Sequence, residues 1–351
     1  MPGIFACVSA LTNIFDIRQQ VQKSLGVMFG VTLCLSLILH SCFLIPKTQL
    51  QPLTIGITTW PGFDIVLYAK ATNIFKGRGL DVNLVRFENQ QDSSRAVMRG
   101  ALDAAFVALW DAVQVDAGDD KPVIVLVTNI SYGADGIVAQ APIKTVKDLK
   151  GKRVGAKLGT VNHLILLEAL QQHKMLPTDV QIADIANETA AQLVEKKLLD
   201  AAVIWQPLLG ETAKKAQGNI IYTTQELDSL VIDTLLTRKA NVQAKKTELI
   251  QFLSAWLDIM YAVQTKPAEV YEKVAELLKQ SPASFASDYA GLKKGDIPMQ
   301  KRMFQDQGRL QQGLEQMSQL LQSDKRAGRL PRQDLEINRE LITTAIEGWK
   351  S

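Results

Sequence analysis

The pattern of apolar and polar positions divides the chain into an uncharged leader and a long alternation of short strands and helices. Ser24 to Pro46 contains no Asp, Glu, Lys or Arg, and Leu25 to Leu39 is almost wholly apolar. Beyond it, Leu53–Thr58 predicts a strand that ends in Thr59-Trp60-Pro61-Gly62, and apolar residues at helical spacing follow from Phe63 to Phe75. Asp81–Phe87 predicts a second strand, the polar patch Glu88–Ser94 leads into a helix reaching Arg99, and Leu102–Val107 predicts a third strand running into Trp110. The plan then recurs. Lys152–Ala156 leads through Leu158-Gly159-Thr160 into a helix from Val161 to about His173, followed by a strand over Val180–Ile185, a helix over Glu188–Lys197 and a strand over Leu199–Ile204 that ends at Trp205. The third strand opens with Leu-Asp-Ala-Ala in both units, at Leu102 and at Leu199. Strands separated by helices pair in parallel, so the expectation is two α/β lobes of one plan, each a mainly parallel sheet flanked by helices.

The segments outside the repeat predict how the lobes are joined. Val123–Val127 and Asp135–Val138 are apolar runs linked by Thr128–Ala134, where the chain leaves the first lobe, and Ile220–Tyr222 and Val231–Leu236 are further strands. From Lys245 onward the pattern is helical, with Phe252, Trp256, Ile259 and Tyr261 on one apolar face and Val270, Val274, Leu277 and Leu278 on another. These faces need a partner, and the economical path returns the chain near Asp228–Thr234 to cover the first lobe. Residues 47–131 with 231–351 then form a discontinuous lobe 1, residues 132–230 form lobe 2, and residues 1–46 stand apart. Two crossings make a hinge, and a hinge between two lobes makes a cleft.

Composition narrows the chemistry. A chain of 351 residues suits about two domains, and 47% apolar with 21% charged residues excludes disorder. Thirty-nine Lys and Arg against 36 Asp and Glu give +3 with no basic block, which argues against nucleic acid as a partner. The three cysteines, Cys7, Cys34 and Cys42, all lie in the leader, and only His163 and His173 follow it. The remainder therefore lacks a thiolate metal site, a disulfide, and the converging bases that nucleophilic or metal-assisted catalysis needs. The expectation is no catalytic residue, no metal and no cofactor.

Arg18 and Lys23 precede the uncharged run, which is the layout of a secretory signal. The run ends in Leu39-His40-Ser41-Cys42, which resembles the lipobox of bacterial lipoproteins and implies acylation of Cys42 after cleavage. The alternative is an uncleaved span, since a run of this length can cross a ~30 Å hydrocarbon core. Either way the remainder lies outside the cytoplasm, in the periplasm or at the cell surface, tethered to the membrane through Cys42 or residues 25–46.

The element order, with Trp60-Pro61-Gly62-Phe63, Gly100–Ala105, Tyr132-Gly133-Ala134-Asp135, Val146–Gly155 and the late Asp233, resembles the periplasmic solute-binding proteins of ABC importers. Within them it is similar to the nitrate/sulfonate/taurine/bicarbonate branch, which also includes binders of thiamine-pyrimidine precursors. The resemblance covers roughly Leu53 to Lys279. It implies a two-lobed type II binding-protein fold with a double-crossover hinge, a monomer that captures a small solute by hinge closure, and delivery to an ABC permease in the membrane. Two other readings use the same architecture: a ligand-sensing extracytoplasmic module, and a thiamine-pyrimidine-type binder or enzyme. The enzyme reading requires a cysteine-rich motif and a histidine arrangement that this chain lacks.

In open parallel sheets the ligand sits outside the carboxyl ends of the strands. The expected ligand-binding residues are Trp60, Gly62 and Phe63 at the first turn, Ser93 at the second, Trp110 and Asp111 at the third, Gly159, Thr160, Asn162 and Trp205 in the second lobe, and Asp135 and Asp233 near the crossings. Indole walls favour an organic body over a bare ion. The turns at Gly62 and at Gly159-Thr160 each open a helix whose unpaired N–H groups suit an oxyanion, while Asp64, Asp111, Asp135 and Asp233 suit an amine. A sulfonate-like solute satisfies the first, and a zwitterion or amino-substituted heteroaromatic satisfies both. His163 is expected to be packed, and Asp103 and Asp200 to serve as structural caps.

Overall fold

The computed structural model describes residues 49–116, 118–227, 230–323 and 330–350. The leader, with the lipobox, Cys42 and the candidate span over residues 25–46, lies outside the described residues, as does Asp228 in the second crossing.

In chain order the principal elements are β1 (Gln51–Ile57), β2 (Leu80–Arg86), α1 (Gln90–Met98), β3 (Ala104–Ala108), β4 (Pro122–Ser131), β5 (Asp135–Ala139), β6 (Arg153–Gly155), α2 (Val161–Gln172), β7 (Gln181–Ala183), α3 (Asn187–Glu195), β8 (Ala201–Trp205), α4 (Leu208–Lys215), β9 (Asn219–Thr223) and β10 (Ile232–Arg238). They continue with α5 (Lys246–Thr265), α6 (Pro267–Leu278), α7 (Pro282–Ala290), β11 (Leu292–Lys294), α8 (Arg309–Ser323), β12 (Glu336–Ile337) and α9 (Arg339–Gly348). The first sheet runs β11-β4-β10-β3-β1-β2, with β12 also on β4, and the second runs β7-β6-β8-β5-β9.

The two sheets share a design. Each holds a parallel trio, β2-β1-β3 in one and β7-β6-β8 in the other, as βαβ connections require. Each trio is then extended by one antiparallel strand from a crossing. β10 pairs with β3 and β4, and β5 pairs with β8 and β9. The chain passes from β4 to β5 through Tyr132–Ala134, and from β9 to β10 through the turn at Thr224–Glu226 and the residues after it. Asp135 begins β5, and Asp233 is the second residue of β10, so the two carboxylates enter their sheets at the two crossings. The repeated Leu-Asp-Ala-Ala segments also act alike. Asp103 accepts a hydrogen bond from the Thr54 N–H at 2.8 Å, and Asp200 accepts one from the Arg153 N–H at 2.8 Å, each tying the loop before the third strand to the first strand.

Phe106 on β3 is the hub of the first core. Phe63 stacks on it at 5.5 Å between ring centroids, and Phe252 and Trp256 of α5 pack against it at 6.1 Å and 5.8 Å. Asp258, on the same helix, accepts both a bidentate pair from Arg78 and the indole N–H of Trp349 just beyond α9. In the second lobe α2 is buried from Val161 to Leu170, apolar on nearly every side, which is what a helix enclosed by neighbours requires.

Two elements differ from the sequence expectation. The helix expected from Phe63 to Phe75 is three short pieces, Pro61–Asp64, Leu67–Ala71 and Ile74–Gly77, the last break falling at Asn73, which takes the left-handed conformation with φ of 58°. The region after Lys245, expected to be helical throughout, contributes β11 and β12, which pair with β4.

Candidate functional site

The carboxyl ends of the parallel strands of both lobes face one cavity of about 510 Å³, lined from the first lobe by residues that include Thr58, Thr59, Arg86, Phe87, Gln90 and Asp111, and from the second by Lys157, Thr160, Asn162, Asn187 and Trp205. At its side is a notch of about 10 Å³, lined by Thr59, Trp60, Gln90, Asp135, Val161, Trp205, Val231 and Asp233. The two share Thr59, Gln90, Val161 and Trp205. The notch has the room of about one water-sized group.

The turn after β1 is built around Trp60. Its backbone is extended, its carbonyl accepts from the Phe63 and Asp64 N–H groups, and Pro61 sets the first position of the short helix, so the indole is carried to the notch. The indole N–H points to Asn129 Oδ1 at 3.4 Å. A Cβ on Gly62 would overlap the Asn129 amide and crowd the Trp60 indole nitrogen, so glycine here is what lets tryptophan and asparagine meet. On the opposite side Asp135 pairs across the strands with Trp205, which places the half-buried indole beside the carboxylate. Asn162, in the first turn of α2, is fixed by donating to the Val203 carbonyl at 2.6 Å.

The electrostatics of the site are dominated by burial. Asp135 is 2% exposed, and desolvation pushes its carboxyl up to about 7, with a hydrogen bond from Ser131 opposing. Asp233 is 3% exposed and is held well above the usual carboxylate range, by burial first and then by the neighbouring Asp135 charge, while hydrogen bonds from Trp60 and Asn129 and the charge of Asp111 act as smaller influences. One oxygen of each, Oδ2, has no hydrogen-bond partner among the described residues. The cations on the wall are already engaged. Arg86 Nη2 lies 2.7 Å from Asp64 Oδ1, and Lys157 Nζ lies 3.0 Å from Asp184 Oδ1. Burial raises Asp64 to about 6 even against the pull of Arg86.

Of the residues expected at the site, Trp60, Asp111, Asp135, Thr160, Asn162, Trp205 and Asp233 line the cavity or its notch. Gly62, Phe63, Ser93, Trp110 and Gly159 do not, and each has a packing reason. Phe63 is fully buried on Phe106 in the core. Ser93 faces inward on α1, its hydroxyl donating to the Gln90 carbonyl at 2.9 Å. Trp110 is fully buried, and its ring meets the buried His163 ring edge-on at 6.4 Å, joining one lobe to the other. Gly62 makes room rather than contact. Gly159 offers its carbonyl to Gln91 and Gln114 of the first lobe. Gln90 and Phe87 line the cavity and Asn129 holds the Trp60 indole, three residues that the sequence pattern does not single out. Phe87 precedes the polar patch after β2 and Gln90 lies within it, while Asn129 is the one side-chain amide of β4, between Thr128 and Ile130 after a long apolar run.

Comparison with known proteins agrees with this architecture. A binding protein of Brucella abortus is 30% identical over 173 residues, 48% of this chain and 52% of that protein, so the chain spans about half the length of that relative. The periplasmic aliphatic sulphonate binding protein SsuA from Escherichia coli matches with a TM-score of 0.66 at 18% identity, covering 80% of this chain and 95% of that chain. The desulfurization enzyme DSZB matches with a TM-score of 0.57 at 15% identity, covering 85% and 99%. At these identities the structural likeness is one of fold, the two-lobed periplasmic binding protein fold. The NMT1/THI5-like family matches residues 60–270, from the tryptophan that turns out of β1 to the first turn of α6. A match over more than half of the chain, through β2, β3, the whole second parallel trio and both crossings, places this chain in the NMT1/THI5-like family.

Proposed function

We propose that the chain is the solute-capturing component of an ABC importer, working outside the cytoplasm and delivering a small organic solute to a membrane permease. The observation that carries this reading is a cavity of about 510 Å³ whose walls belong to two different sheets. Such walls are complete only while the lobes are together, so a solute filling the cavity favours closure and is released when the lobes part. Residues 47–131 with 231–351 move as one body in this reading, and residues 132–230 as the other. Phe87 and Trp205 offer an organic body ~25 cal/mol per Å² removed from water. The relatives, described as binding proteins and in one case as a binder of aliphatic sulphonates, support capture of an organic solute. No bond is made or broken, and the protein acts as a monomer.

Cys42 supplies the tether. Acyl chains on it, each methylene contributing ~0.8 kcal/mol, would hold the protein at the membrane surface. Cys42→Ala is expected to move it out of the membrane fraction or to block its processing.

The reading is tested by a thermal-shift panel of sulfonates, carboxylates, amines, amino acids and heteroaromatics on a form lacking residues 1–41. A ligand that binds only the folded protein raises its stability by RT ln(1 + [L]/Kd). The expected result is a raised melting temperature with at least one solute, together with a smaller radius of gyration in solution scattering. Unchanged melting and scattering across the panel would count against capture.

A further inference from the structure

The capture reading leaves open which chemical group holds the solute, and the notch beside the main cavity addresses that. Asp135 and Asp233 line it together, both nearly fully buried, and each presents an oxygen with no hydrogen-bond partner among the described residues. A buried acceptor without a partner costs on the order of 1–3 kcal/mol, more when charged, so two of them on residues that line one notch mark a place for a donor. The notch, about 10 Å³, has room for one atom with its hydrogens and none for a tetrahedral head with three oxygens. A metal cage is a poor description, because among the described residues no group of three or more His, Cys, Asp or Glu is placed to hold an ion.

Charge points the same way. Arg86 and Lys157 on the cavity wall are already paired with Asp64 and Asp184, whereas Asp111, Asp135 and Asp233 bring three carboxylates to the same region. An anionic head would be repelled by each of them that is ionised, whereas a cation would favour their ionised forms and offset the cost of burying them.

Resting on the capture reading, we propose that the solute is anchored by a primary ammonium group seated between Asp135 and Asp233, with its organic body in the larger cavity against Trp205 and Phe87. The ammonium has three N–H donors. In this seat two of them reach the Oδ2 atoms, and the third is directed to the wall that Thr59 and Gln90 share with the larger cavity. Charge-assisted bonds of this kind are roughly twice as strong as neutral ones. Because Asp135 begins β5 at one crossing and Asp233 lies at the start of β10 after the other, the seated group ties both hinge strands together. Head recognition and closure are then one event.

The test uses the purified full chain in non-ionic detergent and three probes with one phenylethyl body: phenethylamine, its N,N,N-trimethyl derivative and 2-phenylethanesulfonate, each titrated by calorimetry. Phenethylamine is expected to bind at least about tenfold more tightly than either of the others. Asp135→Asn and Asp233→Asn are each expected to weaken it by about tenfold or more with no loss of melting temperature. Equal or tighter binding of the sulfonate overturns the ammonium seat while leaving capture standing. Equal binding of the trimethyl derivative overturns the seat in the notch, since that head is too large for it. Amine affinity unchanged in both variants also overturns it. Silence of all three probes at millimolar concentration overturns the head assignment, and the broad solute panel then decides separately whether capture survives. The probe ranking on the unaltered chain stands even if a variant folds poorly.

Discussion

Gln114 of the first lobe donates from Nε2 to the Gly159 carbonyl of the second at 3.0 Å, and the same nitrogen reaches the Trp110 carbonyl at 2.9 Å. Gln91 adds a longer bond to the same Gly159 oxygen at 3.3 Å. Two glutamines of one lobe therefore hold one peptide of the other, at the turn that opens α2. The positive φ of Gly159, 74°, sets the shape of that turn and is a conformation glycine adopts at no steric cost.

Gln114→Ala is expected to loosen the closed arrangement while leaving each lobe intact. A net contribution of about 1 kcal/mol for the bond corresponds to roughly a fivefold change in the closed-to-open ratio. Solute affinity should fall by about that factor, and the radius of gyration without solute should rise. A variant with unaltered affinity and scattering would show that the glutamine clasp is incidental to closure.

Gly62→Ala is expected to destabilise the first lobe. The new methyl group would overlap the Asn129 amide at a site closed on one side by the Trp60 indole. Overpacking of a filled site typically costs about 1–3 kcal/mol. Urea unfolding should show the loss, and a second change, Asn129→Ala, should restore part of it by vacating the overlapped volume. Full stability in the single variant would mean that the turn can shift freely.

Much of this arrangement is legible in the sequence because each βαβ unit is regular. The apolar run Leu53–Thr58 and the repeated Leu-Asp-Ala-Ala segments locate both parallel trios, and the short apolar runs at Val123–Val127 and Val231–Leu236 mark β4 and β10. What the sequence hides is mostly long-range. β11 and β12, of three and two residues, are too short to show alternation and exist because β4 offers an edge to pair with. Trp110 lies two residues past the end of β3 and Trp205 is the last residue of β8, yet one is sealed behind His163 and the other lines the cavity, a distinction set by the approach of the two lobes. Gln114 and Gly159 are 45 positions apart and carry no local signal of their contact.

That distinction predicts opposite phenotypes for two tryptophans. Trp205→Ala should weaken solute binding by about 1–3 kcal/mol, with little change in unfolding, because the half-buried ring lines the cavity. Trp110→Ala should instead cost about 3–5 kcal/mol of stability, the usual range for deleting a large buried aromatic ring, because the ring is fully buried. Paired calorimetric titrations and denaturant melts separate the two. Melts that rank the variants the other way would reverse the assignment of ring to cavity and ring to core.

The buried carboxylates predict how stability without solute depends on pH. Folding raises Asp135 from 3.8 to about 7, so the folded chain keeps a proton that the unfolded chain releases. Stability from this group is therefore complete below about pH 4 and is lost as pH rises through 7. At about 1.4 kcal/mol per tenfold change in ionisation constant, the loss is at most about 4 kcal/mol. Asp233, also raised, by burial and by Asp135, acts with the same sign, and Asp64, raised to about 6, adds a smaller loss between pH 4 and 6. The protein without solute should thus melt at a higher temperature near pH 5 than near pH 8. Asp135→Asn, which removes the ionisation, should raise melting at the alkaline end and flatten the profile. A profile that climbs from pH 5 to pH 8 and is unchanged by the substitution would show that Asp135 is charged and well solvated in the folded chain. In that case the carboxylate would already have a partner, and its oxygen would not be waiting for a donor.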